Sequence, residues 1–373
     1  MSLRPFLLER YFARYEFETP YLLCASDCES MSIDELLGSE PGARERCMAV
    51  RLGYTDSRGA PSLRKEICKL YGSISPEQVL VHSGAEEAIF LFMHAALASG
   101  DHVIVHQPCY QSLHEVARSI GCEVSAWQAR EENKWSLDPN ELRSLVRPRT
   151  RAIVLNSPHN PTGFHMKRSV FEETLRFAHE RGIVVFSDEV YRGLEYEESE
   201  RLPAACDLSE RALSLGVMSK TYGLAGLRIG WIGTRNTAIL ERMAELKDYT
   251  TICCGAASEF LAEVALRHGD AIAERNRRIV LFNLGLLDGF FSRHADRFSW
   301  RPPAAGPVAF PRLLHGDVAE FCQSAASSSG VLLLPGTVFG DHGNHFRIGF
   351  GRMSMPPALQ KLEEHLRQHR AGT

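Results

Sequence analysis

Five short polar segments of this chain each follow a run of apolar residues, and each carries groups able to do chemistry. The first runs from His82 through Ser83, Gly84, Ala85 and Glu86 to Glu87. Small residues at a helix start leave backbone N–H groups open to a phosphate, although the same residues also make a plain tight turn. The second ends in Tyr110, an aromatic just past a predicted strand, placed either to stack on a flat ligand or to pack. The third spans Asn156 to Gly163, where Pro158 and Pro161 bracket Asn160. A loop so constrained either aims an amide or is simply a rigid turn. The fourth holds Asp188 and Tyr191. A carboxylate closing an apolar strand needs a partner, and a protonated pyridine nitrogen would serve; an ordinary helix cap is the alternative. The fifth holds Ser219 and Lys220, with Arg228 eight residues on. A lysine beside a low-dielectric cleft can lose its proton and form a Schiff base. Arg228 can fork onto a phosphate. Both are equally compatible with solvated surface cations.

Taken together, the segments ask for one ligand. It is flat and aromatic, carries a phosphate and a ring nitrogen, and offers an aldehyde to a lysine. Pyridoxal 5′-phosphate meets every demand.

The elements that must position these groups are legible from periodicity. Short strands are predicted at Val79–Val81, His102–His106, Cys122–Trp127, Arg151–Leu155, Ile183–Phe186, Ala212–Val217 and Leu227–Gly233. Helical patterns fall between most of them, at Ser62–Tyr71, Ala85–Ala98, Gln111–Ile120 and Arg168–Glu180. Alternation of this kind predicts an α/β fold: a mostly parallel sheet with helices on both faces, whose ligands bind at the carboxyl ends of strands. Ser258–His294 reads as one long, mostly helical stretch. After Phe298 short strands and two helices predict a smaller α+β domain. Residues 1–50 read as irregular after a short amphipathic start. The expected division is a large domain over 46–254 and a small one built from 1–45 and 255–373.

Composition narrows the function classes. The chain has 373 residues, of which 44% are hydrophobic, enough to offset ordering entropy. A net charge of −4 gives no field for nucleic acid. No apolar run approaches the roughly 20 residues of a membrane span. Ten irregularly spaced cysteines read as reduced thiols, not as a disulfide framework or a metal site. A cytoplasmic location follows from these readings. No G-x-G-x-x-G opens a helix, which argues against a dinucleotide fold.

The ordered motifs Asn160-Pro161-Thr162-Gly163, Asp188-Glu189-Val190-Tyr191, Ser219-Lys220-Thr221-Tyr222-Gly223 with Gly226 to Trp231, and Phe346-Arg347-Ile348-Gly349 resemble those of the class I/II aminotransferases, fold-type I of the pyridoxal-phosphate enzymes. The resemblance implies a role for each matched position. Lys220 would carry the cofactor as a Schiff base and shuttle the substrate proton. Asp188 would keep the ring nitrogen protonated, Tyr191 and Asn160 would bond the ring hydroxylate, and Tyr110 would stack on the ring. Gly84, Ala85, Ser219 and Arg228 would bind the phosphate, Glu86 would also be among the cofactor-binding residues, and Asn160 would also be near the substrate. Arg347 would fork onto the substrate α-carboxylate. Tyr54 would reach the phosphate of a neighbouring subunit, which implies a homodimer. Where the family often has Ser or Thr three positions before the lysine, this chain has Val217. The loop Ala25 to Met31 is similar to that of a subgroup that includes capreomycidine synthase, which acts on a hydroxylated arginine.

The implied activity is amino-group transfer from an amino acid to a 2-oxo acid. The alternative is elimination, replacement or cyclisation on an amino acid by the same cofactor. In that alternative Asp27 and Glu29 either hold a cationic substrate tail or are plain solvated loop charges. A pyridoxal-phosphate-sensing regulator is disfavoured, because the 50 residues before Tyr54 contain no basic recognition helix. His82, His159 and His345 lie near the motifs and read as structural.

Overall fold

The computed structural model describes residues 3–341 and 343–368. The extreme ends of the expected small domain, and His342, lie outside the described residues.

A seven-stranded sheet forms the centre: β1 (Val79–His82), β2 (His102–Gln107), β3 (Glu123–Gln128), β4 (Thr150–Asn156), β5 (Val184–Asp188), β6 (Ala212–Val217) and β7 (Gly230–Thr234). Their spatial order is β1-β7-β6-β5-β4-β2-β3. β2 to β6 run parallel, whereas β7 runs antiparallel to both β6 and β1.

Successive strand residues point to opposite faces, and both faces are apolar. Val103, Val105, Val154 and Phe186 pack with Ile89 and Phe92 of helix Ala85–Ala96 and with Leu113 of helix Ser112–Ile120. Ile104, Ile153, Leu155 and Val185 pack on the other side with Phe171 and Leu175 of helix Arg168–Glu180. The sheet is therefore covered by helices on both faces, as fold-type I requires.

Three local expectations change. The predicted strand Leu227–Gly233 begins only at Gly230, because Ala225–Leu227 form a single 3-10 turn and Arg228 sits at φ 53°. The apolar alternation of Leu227, Ile229 and Trp231 hides that turn. The long helical stretch is two helices, Ala256–Arg267 and Gly269–Arg293, because His268 leaves helical geometry at φ −112°, ψ 19°. Residues 1–50 are more regular than expected, with helices Leu7–Tyr15, Ile33–Leu37 and Ala43–Met48. The second of these carries a legible capping box: Glu35 N–H donates to Ser32 Oγ, and Ser32 N–H donates to Glu35 Oε2.

The first residues pair with the last part of the chain. Tyr21–Leu22 lies parallel to Val331–Leu332. Strand Phe346–Gly349 is flanked antiparallel by Val308–Ala309 and Leu334–Pro335. Residues 23–29 then cross beside this strand. Gly349 N–H donates to Leu23 O at 2.9 Å, and Glu29 N–H donates to Gly351 O at 2.9 Å. A Cβ built on Gly349 would fall 1.7 Å from Ala25 O, so only glycine admits the crossing backbone.

Candidate active site

The register of the sheet brings the polar segments to one edge. Asn156 pairs with Asp188, Asp188 with Leu215, and Gly230 with both Val217 and His82. The residues following β1, β2, β4 and β6 (Gly84, Tyr110, Asn160 and Lys220) therefore emerge together beside Asp188. Because β7 runs the other way, Arg228, two residues before it, reaches this same edge.

These groups enclose a cavity of about 460 Å³, within the range usual for small-ligand sites. Ala85, Glu86, Tyr110, Asn160, Asp188, Tyr191, Ser219, Lys220, Arg228 and Arg347 all line it. Gly84 borders it behind Arg228: at φ 83°, a Cβ there would fall 2.8 Å from Arg228 Nη2. Tyr54 does not line it and stands 91% exposed.

Asp188 is buried at the floor. Its Oδ1 accepts a 3.2 Å hydrogen bond from Val190 N–H. Burial pushes its carboxyl up to about 7, partly opposed by that bond and by Lys220. Such an acid gains from a cationic partner. Asn156 Nδ2 donates to Asp188 O at 3.0 Å and fixes the strand end. Lys220 Nζ donates to Ser26 Oγ at 2.8 Å, and burial lowers its pKa, favouring the neutral amine.

Arg347 is 1% exposed, at the opposite wall. Its Nε and Nη2 donate to Cys24 O at 3.2 and 2.8 Å, and its Nη1 donates to Asn160 Oδ1 at 3.0 Å. One N–H on each terminal nitrogen remains, the pair a carboxylate accepts in fork geometry. Tyr191 Oη donates to Ser26 O at 2.9 Å. Tyr110 Oη donates to Glu9 Oε1 at 3.3 Å, and its ring lies 5.0 Å from that of Phe6.

The end of the cavity beside Arg228 is polar as well. Arg228 Nη1 spends one hydrogen bond on Ala225 O at 3.3 Å. Glu86 accepts from Ser112 Oγ at 3.0 Å, and burial pushes its carboxyl up to about 7. Val217 lines the cavity with no hydroxyl, leaving Ser219 as the nearby one.

Several lining residues lie outside the motifs singled out in the sequence. Leu8, Glu9, Phe12 and Glu16 reach the cavity from the N-terminal helix and its cap. Their spacing of one, four and eight is the helical repeat that marks one face. Ser26 and Arg352 come from segments more than 300 residues apart. Asp27, which lines the cavity, and Glu29 are both partly exposed, and both are partnered within the chain. Arg352 Nε and Nη2 fork onto Asp27 at 2.8 Å each, and Glu29 Oε2 accepts Met353 N–H at 2.6 Å. His82, His159 and His345 do not line the cavity. His159 stacks on His106 at 3.7 Å, and burial holds both rings neutral.

A buried acid, a lysine amine of lowered pKa, and a guanidinium-and-backbone cradle fit a phosphorylated pyridine aldehyde. The profile of aminotransferase class I and II matches residues 23–363, and the chain belongs to that family. Pyridoxal 5′-phosphate is accordingly its cofactor. Among individual proteins, capreomycidine synthase of Streptomyces vinaceus is 30% identical over 99% of this chain and 94% of its own length. A PLP-dependent aminotransferase from Streptococcus suis superposes with a TM-score of 0.93 at 33% identity, covering 100% of both chains. The PLP-dependent cyclase OrfR superposes with a TM-score of 0.90 at 29% identity, covering 99% of this chain and 98% of its own.

Proposed function

We propose that this enzyme moves the amino group of an amino acid to a 2-oxo acid. The observation that carries the reading is that Lys220, Asp188 and Arg347 all line one cavity. When bound, pyridoxal phosphate supplies an aldehyde for the amine and an electron-withdrawing ring for the electrons left at the substrate Cα. Arg347 and Asn160 hold the substrate α-carboxylate. Lys220 Nζ would take up the proton from the substrate Cα and later give it back, acting as a general base and then a general acid. Asp188 would hold a proton at the ring nitrogen of the bound group. Tyr191 and Asn160 would bond its ring hydroxyl, and Tyr110 would cover its face. Arg228, Ser219, Gly84 and Ala85 would hold its phosphate, with Glu86 also beside the cofactor.

The same reading takes residues 46–254 as the cofactor domain and 1–45 with 255–373 as the small domain. It includes a homodimer and a cytoplasmic location. Met48, Leu52, Tyr54 and Tyr249 are each at least 87% exposed, a surface a second copy would cover. No helix among the described residues is long and apolar enough to cross a membrane. Lys220→Ala tests the mechanism. It abolishes turnover and leaves the cofactor bound only noncovalently; retained transamination sinks the assignment.

A second reading is elimination or cyclisation on a cationic amino acid. Glu9 and Glu16 line the cavity, and neither forms an ion pair among the described residues, so the wall from the N-terminal helix is acidic. The likeness to capreomycidine synthase and to a cyclase supports the same view. Single-turnover reactions with a panel of amino acids separate the two readings. Pyridoxamine phosphate and a keto acid without ammonia support transfer; ammonia or a ring-closed product from a basic amino acid supports the second reading.

A further inference from the structure

We infer that Ser26 is a positioning residue, whose hydroxyl holds and orients the Lys220 amine while that amine carries the substrate proton. The inference rests on the assignment of Lys220 as the cofactor lysine. The contact is direct, Nζ to Oγ at 2.8 Å across 194 residues of sequence. It is the hydrogen bond Lys220 Nζ makes among the described residues; Asp27, Asp188, Cys28 and Arg347 act on the amine through charge alone.

Ser26 is held as firmly as the residue it serves. Its own carbonyl accepts from Tyr191 Oη at 2.9 Å. Two residues earlier, Cys24 O accepts from Arg347, and one residue later Asp27 is forked by Arg352. The backbone of Ala25 lies against Gly349 with no room for a Cβ. The serine side chain therefore has a fixed origin, and the flexible lysine stem is the partner that gains order from the bond.

The proton inventory is simple. The substrate Cα–H bond breaks, its electron pair stays with carbon, and the proton joins the Nζ lone pair. The resulting ammonium carries three N–H groups. One of them is donated to Ser26 Oγ, which aims the others back over the cavity. Ser26 neither gains nor loses a proton. A hydrogen bond from a charged donor is the stronger kind, so the hydroxyl favours the protonated lysine. Burial and Arg347 oppose it, whereas Asp27, Asp188 and Cys28 act with it.

The test uses the full chain with three variants, Ser26→Ala, Ser26→Thr and Lys220→Ala. The first readout is the rate at which cofactor-free protein captures pyridoxal phosphate as a function of pH, followed by absorbance. Wild-type capture, and its loss in Lys220→Ala, establishes the underlying assignment by itself. In Ser26→Ala the midpoint of the capture profile then moves to lower pH by roughly half to one unit, because the amine has lost its acceptor. In the loaded enzyme kcat falls about 10-fold with little change in KM. Ser26→Thr, which keeps the hydroxyl, restores both. A purely structural role would scale the capture rate at every pH without moving its midpoint. An unmoved midpoint and kcat in Ser26→Ala, or no rescue by threonine at an unchanged melting temperature, overturns the inference while leaving the Lys220 assignment intact.

Discussion

Arg347 donates two hydrogen bonds to the carbonyl of Cys24, a residue 323 positions away in the chain. The guanidinium is thus oriented before any substrate arrives, with Asn160 Oδ1 holding its third side. Preorganisation of this kind lowers the ordering cost of binding. Lysine at this position keeps the charge but loses the fork. Arg347→Lys is therefore expected to raise KM for the amino substrate about 100-fold, with a smaller effect on kcat. Steady-state kinetics on a good donor checks this; an unchanged KM would remove Arg347 from the carboxylate site.

Asp188 ties stability to pH. Its carboxyl is shifted up to about 7 by burial, from an ordinary 3.8. The cofactor-free native state therefore binds a proton that the unfolded state releases between about pH 4 and 7. The sign follows: this group contributes stability that is present below about pH 4 and lost as pH rises to about 7. The whole effect is at most about 4 kcal/mol. Asp188→Asn removes the ionisation. Its cofactor-free form should melt higher than wild type at pH 8, and nearly level with it at pH 4. Activity should fall by at least about 100-fold, since an amide cannot hold the proton at the ring nitrogen. Melting curves at the two pH values decide the first point.

Gly349 has no spare volume on the side of Ala25. Gly349→Ala must push residues 23–29 out of their groove. Overpacking of this sort costs about 1–3 kcal/mol. The larger loss is functional, because the same segment carries the carbonyls that hold Arg347 and Tyr191. Denaturant midpoint and kcat/KM measured together should show a modest stability loss beside a fall of at least 100-fold in activity. Equal activity with lowered stability would disconnect the segment from catalysis.

Val217 lines the cavity, and on the proposed reading a hydroxyl at this position would face the phosphate. Val217→Thr is nearly isosteric but buries a polar group. The cofactor-free protein should lose roughly 1 kcal/mol through that group. With cofactor bound the hydroxyl finds an acceptor, and dissociation of pyridoxal phosphate should slow several-fold. Dialysis rates of the two proteins give the comparison.

The legible part of the site was the part encoded locally. Asn160, Asp188 and Lys220 each sit at or within a few residues of a strand end, so an apolar run followed by a polar turn betrays them; Arg228 precedes its strand, and the apolar alternation around it reads as part of that strand. The strand pattern also told which sheet edge they share. Ser26, Cys24 and Arg352 were not legible, because their roles come from a backbone crossing between the two ends of the chain. A carbonyl that accepts from Arg347 leaves no mark on residue type. Glu9 and Glu16 were readable in principle, from their place on one helical face with Phe12. Asp27 misled for the opposite reason: a carboxylate in a loop looks free until its partner, 325 residues on, is in view.

The parallel pairing of Tyr21–Leu22 with Val331–Leu332 has a consequence for the order of assembly. Segments whose contacts lie far apart in sequence join late in folding. On the ribosome, the strand made first has no partner until more than 300 further residues have emerged. The cofactor edge of the central sheet can form well before that, yet Ser26 reaches Lys220 only when the chain is nearly finished. A newborn molecule thus owns its lysine and its acid before it owns the wall that turns them into a working site.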